Sequence, residues 1–182
     1  MNGRFFNILY KMRFEKVIQE VLGTSSLNGY TFRTLNLQDL TSLEVFLKNQ
    51  SPERVKYFRP HDFDSRSLIK VHNNPGFLMF GVFNDSEMIG YFFLRCFWTR
   101  KCFVGRLLDK RFEGKGIGKE MNRIMYNTGW KSGFRVLSTI SSDNILVMRS
   151  HANNPSITIL KKLKDNYMLV EFLPLDINNE TD

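Results

Sequence analysis

Leu107-Leu108-Asp109-Lys110-Arg111-Phe112-Glu113-Gly114-Lys115-Gly116-Ile117-Gly118-Lys119-Glu120-Met121 is the stretch on which the reading of this chain turns. An apolar pair closes a strand, a charged turn follows, and glycine recurs at 114, 116 and 118. Ile117, Met121, Ile124 and Met125 then recur at helical spacing. Backbone N–H groups in such a turn converge on an anion, and glycine removes the Cβ atoms that would block it. The segment predicts a site for a phosphorylated cofactor.

The charge distribution agrees. Residues 100–119 hold Arg100, Lys101, Arg106, Lys110, Arg111, Lys115 and Lys119 against Asp109 and Glu113, a net +5 of the chain's +8. A basic chain can seek nucleic acid, an acidic membrane or a small polyanion. Charge gathered at one glycine turn favours the small polyanion over a nucleic-acid track, and no nucleic-acid recognition motif is present.

Around the turn, the chain reads as one α/β domain. The apolar runs Phe77–Phe83 and Met88–Phe97, separated by Asn84-Asp85-Ser86-Glu87, predict an antiparallel hairpin, and Cys102–Leu108 a third strand. Tyr30–Leu35 reads as a strand before them, and Asn36 as the cap of a helix carrying Leu40, Leu43, Phe46 and Leu47. Ser51-Pro52 is expected to end that helix, and Ser65–His72 to form another. After the glycine helix, which should end between Gly129 and Gly133, come a strand at Arg135–Ile140, a short helix at Ile145–Asn153 and strands at Ile157–Lys161 and Tyr167–Leu173. The expected fold is a mixed, mostly antiparallel sheet flanked by helices. The boundaries are an amphipathic helical extension over 1–26, the domain over 27–175 and an acidic tail over 176–182. The stripe Phe14, Val17, Ile18, Val21 and Leu22 suits packing on the domain or on a second copy in a homodimer.

Several classes drop out. No apolar run reaches the roughly 18–20 residues that span a bilayer. Residues 1–16 lack the apolar centre and cleavage site of a secretory leader, so a cytoplasmic location without membrane association is expected. Cys96 and Cys102 are the two cysteines, too few for a disulfide framework and without partners for zinc, so no metal is expected. A P-loop needs four residues between its first glycine and Gly-Lys-Ser/Thr. Here three separate Gly114 from Gly118, and Glu120 follows Lys119. A dinucleotide fingerprint would place its third glycine one residue later, after the first strand of a parallel unit.

The run Glu113-Gly114-Lys115-Gly116-Ile117-Gly118 resembles the Arg/Gln-x-x-Gly-x-Gly/Ala signature of the GNAT superfamily of acetyl-CoA-dependent N-acetyltransferases. The likeness in element order extends from about Tyr30 to Phe172, and its motifs lie within 102–152. It implies that acetyl-CoA is the co-substrate, with coenzyme A held by Leu108, Glu113, Gly114, Lys115, Gly116, Ile117, Gly118, Lys119 and Asn144. Glu113 departs from the usual Arg or Gln and puts a side-chain contact in question, while leaving the backbone amides. The resemblance assigns the Leu108 backbone N–H to the thioester carbonyl, where it would stabilise the developing oxyanion.

Many members carry Asn-x-x-Ala/Ser-x-x-x-Tyr, in which Asn contacts the pantetheine arm and Tyr protonates the leaving thiolate. The eighth residue of the run from Asn144 is His151, whose imidazole is suited to the same role. His61 and Asp62 lie in the variable acceptor region, Tyr57–Phe63, and are of the right type to take a proton from the amine. The resemblance implies a primary amine as acceptor, expected to be a small molecule, with a protein N-terminus, a lysine or a small polyamine left open. Phe92–Cys96, Thr139–Ser141 and Arg149–His151 resemble members that modify amino sugars for surface polysaccharides. The alternative is a GNAT-fold sensor or scaffold that holds coenzyme A without turnover.

Overall fold

The computed structural model describes residues 14–25, 27–144, 147 and 156–174. The elements run α1 (14–23), β1 (Thr31–Thr34), α2 (Asp39–Lys48), α3 (Pro52–Val55), α4 (Ser65–His72), β2 (Phe77–Asn84), β3 (Glu87–Phe97) and β4 (Lys101–Leu108). A 3-10 turn at Lys110–Phe112 leads to α5 (Ile117–Lys131), then β5 (Arg135–Ser141), β6 (Ile157–Lys162) and β7 (Tyr167–Phe172). The predicted helix over Ile145–Asn153 and the acidic tail from Asp176 lie outside the described residues, except for Val147.

The seven strands form one sheet in the order β1-β2-β3-β4-β5-β7-β6. Every pairing is antiparallel except β4 with β5. The parallel pair is joined by α5, as a parallel connection requires a crossover. β3 lies inside the sheet, and its apolar run is buried on both faces. Phe92 and Leu94 point into one core with α1 and α5, while Tyr91 and Phe93 point into a second core with α2 and α4.

Helix α1 is fastened to the domain. Phe14, Val17, Ile18 and Val21 are buried in the α5-side core, and the Phe14 ring stacks on Phe134 with centroids 5.6 Å apart. Arg123 of α5 donates to the Val21 carbonyl at 3.0 Å and to the Thr24 hydroxyl at 3.0 Å. The apolar stripe read in the sequence is therefore covered by this chain's own domain.

Two local readings gain detail. Pro52 begins α3 as well as following α2: it occupies an early helical position, where its missing N–H costs nothing. Asn36 lies three residues before Asp39 and exchanges hydrogen bonds with it: the Asn36 side chain accepts from the Asp39 N–H at 3.2 Å, and Asp39 accepts from the Asn36 N–H at 2.8 Å. That reciprocal pair is a capping box, with Gln38 as the residue that precedes the helix.

Candidate functional site

The site begins where β4 and β5 part. They pair only through Lys101–Arg135, Cys102–Val136 and Phe103–Leu137. The next link is a side chain, with the Ser138 hydroxyl donating to the Val104 carbonyl at 3.1 Å. Beyond it the strands diverge, and a cleft of about 690 Å³ opens between them. Its volume falls within the roughly 300–1,000 Å³ range of small-molecule sites.

Strand geometry dictates which backbone groups face the cleft. The Asp109 N–H donates to Ile89 on β3 at 2.8 Å, and Gly90 stands opposite Leu108. In an antiparallel ladder the groups alternate, so Leu108 and Arg106 turn their N–H and C=O toward the β5 side. The Leu108 carbonyl accepts a hydrogen bond from Arg54 Nη2. The Leu108 N–H faces the opening.

The glycine turn closes one end of the cleft. Asp109 holds the start of the turn, its carboxylate accepting from the Arg111 N–H at 2.9 Å. Gly114 and Gly116 have φ of +76° and +81°, in the left-handed region where a Cβ is costly. Gly116 caps α5, and the Glu120 N–H is bonded to the Gly116 carbonyl at 3.1 Å. The first turn of an α-helix leaves N–H groups without partners of its own, and these carry the positive end of the helix dipole. Here that end borders the cleft at Gly118 and Lys119.

Of the residues expected to hold a cofactor, Leu108, Glu113, Gly114, Gly116, Gly118, Lys119 and Asn144 border the cleft. Ile117 and Lys115 do not. The Ile117 side chain is fully buried in the core beneath α5, and the Lys115 ammonium lies 4.9 Å from the centre of the Phe112 ring. The Asn144 side-chain oxygen accepts from the Val147 N–H at 3.3 Å. His151 lies outside the described residues.

His61 sits away from the cleft lining. Its Nε2 is 2.9 Å from the Tyr91 hydroxyl and its Nδ1 is 2.8 Å from the Asp62 carbonyl. Phe63, Phe77 and Tyr91 pack their rings around it. Burial holds its imidazole below the usual histidine value, with the Asp62 carbonyl and carboxylate pulling the other way. Tyr91 is fully buried, and that burial pushes its hydroxyl well above the usual tyrosine range. Asp62 is not part of the lining either.

Three residues that the sequence did not single out shape the cleft. Arg54 of α3 ion-pairs with Glu113 at 2.7 Å while holding the Leu108 carbonyl, and so ties α3 to both β4 and the glycine turn. Arg106 of β4 is half-buried, and its Nε donates to Asn122 of α5 at 2.7 Å. Burial lowers its guanidinium from the usual arginine value, opposed by Tyr126 and Glu113. Tyr126 stacks on Phe172 at 4.4 Å; burial raises its hydroxyl, and Arg106 acts to lower it. On the α3 side the cleft is edged by Glu53, Tyr57 and Phe58. Among the described residues, no group of three or more His, Cys, Asp or Glu side chains is placed to hold a metal ion. No helix among them is long and apolar enough to cross a membrane.

No family model matches the chain, and no curated protein matches it by sequence. Solved structures do. The GNAT domain of PAT from S. lividans superposes with a TM-score of 0.66 at 14% identity, over 78% of this chain and 88% of that one. The PaiA N-acetyltransferase of Thermoplasma acidophilum, solved in complex with coenzyme A, gives 0.64 at 17% identity, over 80% and 99%. YncA of Salmonella typhimurium, described as a putative acetyltransferase with its cofactor acetyl-CoA, gives 0.58 at 18% identity, over 85% and 99%. The chain has the fold of these proteins: a mixed, mostly antiparallel sheet of the GNAT type.

Proposed function

We propose that this GNAT-fold chain is an N-acetyltransferase that moves an acetyl group from acetyl-CoA to a primary amine by direct attack. One observation carries the reading: the β4–β5 divergence opens beside a glycine turn that presents a helix N-terminus. The turn suits the coenzyme pyrophosphate, because backbone N–H groups and the helix dipole both favour an anion there. The cleft between the strands suits the pantetheine arm, an extended chain with two amides that can pair with strand backbone left unpaired. No metal takes part.

The reaction needs a neutral amine, an electrophilic carbonyl and a leaving thiolate. The amine nitrogen forms a bond to the thioester carbon, the C–S bond breaks, and the ammonium proton is ultimately lost while the thiolate is protonated. The Leu108 N–H serves the oxygen that gains charge as the carbonyl becomes tetrahedral. Arg54, by holding the Leu108 carbonyl, keeps that peptide plane aimed. His151 is proposed as the proton donor to the thiolate. His61, packed among rings away from the cleft lining, is better suited to supporting Tyr91 and its neighbours than to meeting the amine.

The acceptor side is edged by Tyr57, Phe58 and Glu53. A flat ring beside a carboxylate suits an amine carried on a compact cyclic body, and an amino sugar is the acceptor proposed. The test is calorimetry with acetyl-CoA and coenzyme A, followed by thiol release against nucleotide amino sugars, polyamines and peptides. Binding of both coenzyme forms and turnover with an amino sugar are expected. Binding without turnover on any amine would favour the sensor reading, and absence of binding would overturn both. Turnover of His151→Phe at saturating substrate should fall, and an unchanged rate would remove the histidine from the mechanism.

A further inference from the structure

We infer that Arg106 is a side-chain ligand of the coenzyme pyrophosphate, supplying from β4 the cation that the glycine turn lacks at Glu113. The inference rests on the coenzyme reading of the cleft. Position 113 carries a carboxylate, which is turned to Arg54 at 2.7 Å. Arg106 lies against the first turn of α5, and both border the same cleft. Its Nη1 lies 2.9 Å from the point where a Cβ on Gly118 would be, so the guanidinium occupies the space that the missing side chain leaves.

This assigns the third glycine a different task from the other two. Gly114 and Gly116 have positive φ, whereas Gly118 does not and is helical. Gly118 gives room, and Arg106 fills it.

The placement is electrostatically unfavourable without a ligand. A cation against the first turn of a helix meets the positive end of the dipole. Arg106 is also half-buried; its one direct hydrogen bond among the described residues is to Asn122, a neutral amide, and the Glu113 charge offsets its burial only in part. Tyr126 beside it is kept un-ionised by burial. An anion bound in the cleft beside both the α5 N-terminus and the guanidinium resolves both problems, because it is attracted by each. A diphosphate suits this site better than a carboxylate. It offers oxygens to the turn amides and to a planar guanidinium at once.

The experiment compares coenzyme A, dephospho-coenzyme A, pantetheine and inorganic pyrophosphate by calorimetry on the full chain and on Arg106→Met and Arg106→Lys. For Arg106→Met, coenzyme A and dephospho-coenzyme A should each weaken by roughly ten- to hundredfold, the loss of one charged hydrogen-bonding partner. Pantetheine, which has no pyrophosphate, should bind as before. Arg106→Lys should recover part of the loss and keeps the test open if the methionine variant does not fold. Equal losses for pantetheine and coenzyme A, or no loss for either variant, would overturn the inference. If the wild type binds no coenzyme, the functional reading fails. In that case inorganic pyrophosphate that still binds in an Arg106-dependent way would keep the anion site, and its failure to bind would remove that too.

Discussion

β4 has two edges, and they behave differently. Toward β3 it is paired along its length, from Lys101 opposite Phe97 to Leu108 opposite Gly90. Toward β5 it is paired for three residues and then released. Most of the closed edge joins buried apolar side chains, with Tyr91 opposite Leu107 and Leu94 opposite Val104. The open edge is lined by Arg106, Asn122, Tyr126 and Ser138. The sheet is held together where its side chains are apolar on both faces. It leaves backbone unpaired where polar groups and a glycine turn replace them.

The largest expected effect breaks the closed side. Leu94→Ala, opposite Val104, should cost about 2–5 kcal/mol of stability, the usual loss for a truncated core leucine. Urea unfolding would measure it. Coenzyme affinity of the protein that remains folded should change less than twofold. A large affinity loss at unchanged stability would mean that the two edges of β4 are not separable in this way.

Gly116→Ala acts on the open side. An alanine at φ +81° meets a left-handed penalty of about 1–2 kcal/mol. Relief of that strain moves the α5 N-terminus, so coenzyme affinity should fall at least tenfold by calorimetry, more than the stability loss alone would bring. Unchanged affinity would show that the turn amides do not hold the coenzyme.

The same contrast explains what could be read beforehand. β2, β3 and β4 were legible because their apolar runs are long and the turn Asn84–Glu87 is polar, and the observed strands Phe77–Asn84 and Glu87–Phe97 differ from the reading by a residue at one end. The glycine turn was legible because positive φ selects glycine at 114 and 116. The parallel pairing of β4 with β5 and its early release were not legible, because partner choice across α5 leaves no local pattern. Arg106 looked like one more charge in a basic segment. Its burial follows from strand alternation, which turns it onto the α5 face beside Gly118. Arg54 was missed because its two partners, Leu108 and Glu113, are more than fifty residues away in the chain.

The smallest effect sharpens the open side alone. Glu113 and Arg54 form an ion pair whose side chains are 47% and 20% exposed. Solvent screening limits such a pair to about 1 kcal/mol at most, so Glu113→Gln should barely move the unfolding midpoint. Its effect on the coenzyme should have the opposite sign from that of Gly116→Ala. The carboxylate is the one negative charge between Asp109 and Glu120, and it stands on the turn proposed to face a diphosphate. Removing it lowers the repulsion and frees Arg54 to turn toward the anion. Coenzyme A should therefore bind a few-fold more tightly to Glu113→Gln at low ionic strength, and the gain should shrink as salt rises through the range where the screening length falls to about 10 Å. Weaker binding would mean that Arg54 must be held by Glu113 to keep the Leu108 peptide in place, which would make the ion pair a support for the cleft rather than a brake on its ligand.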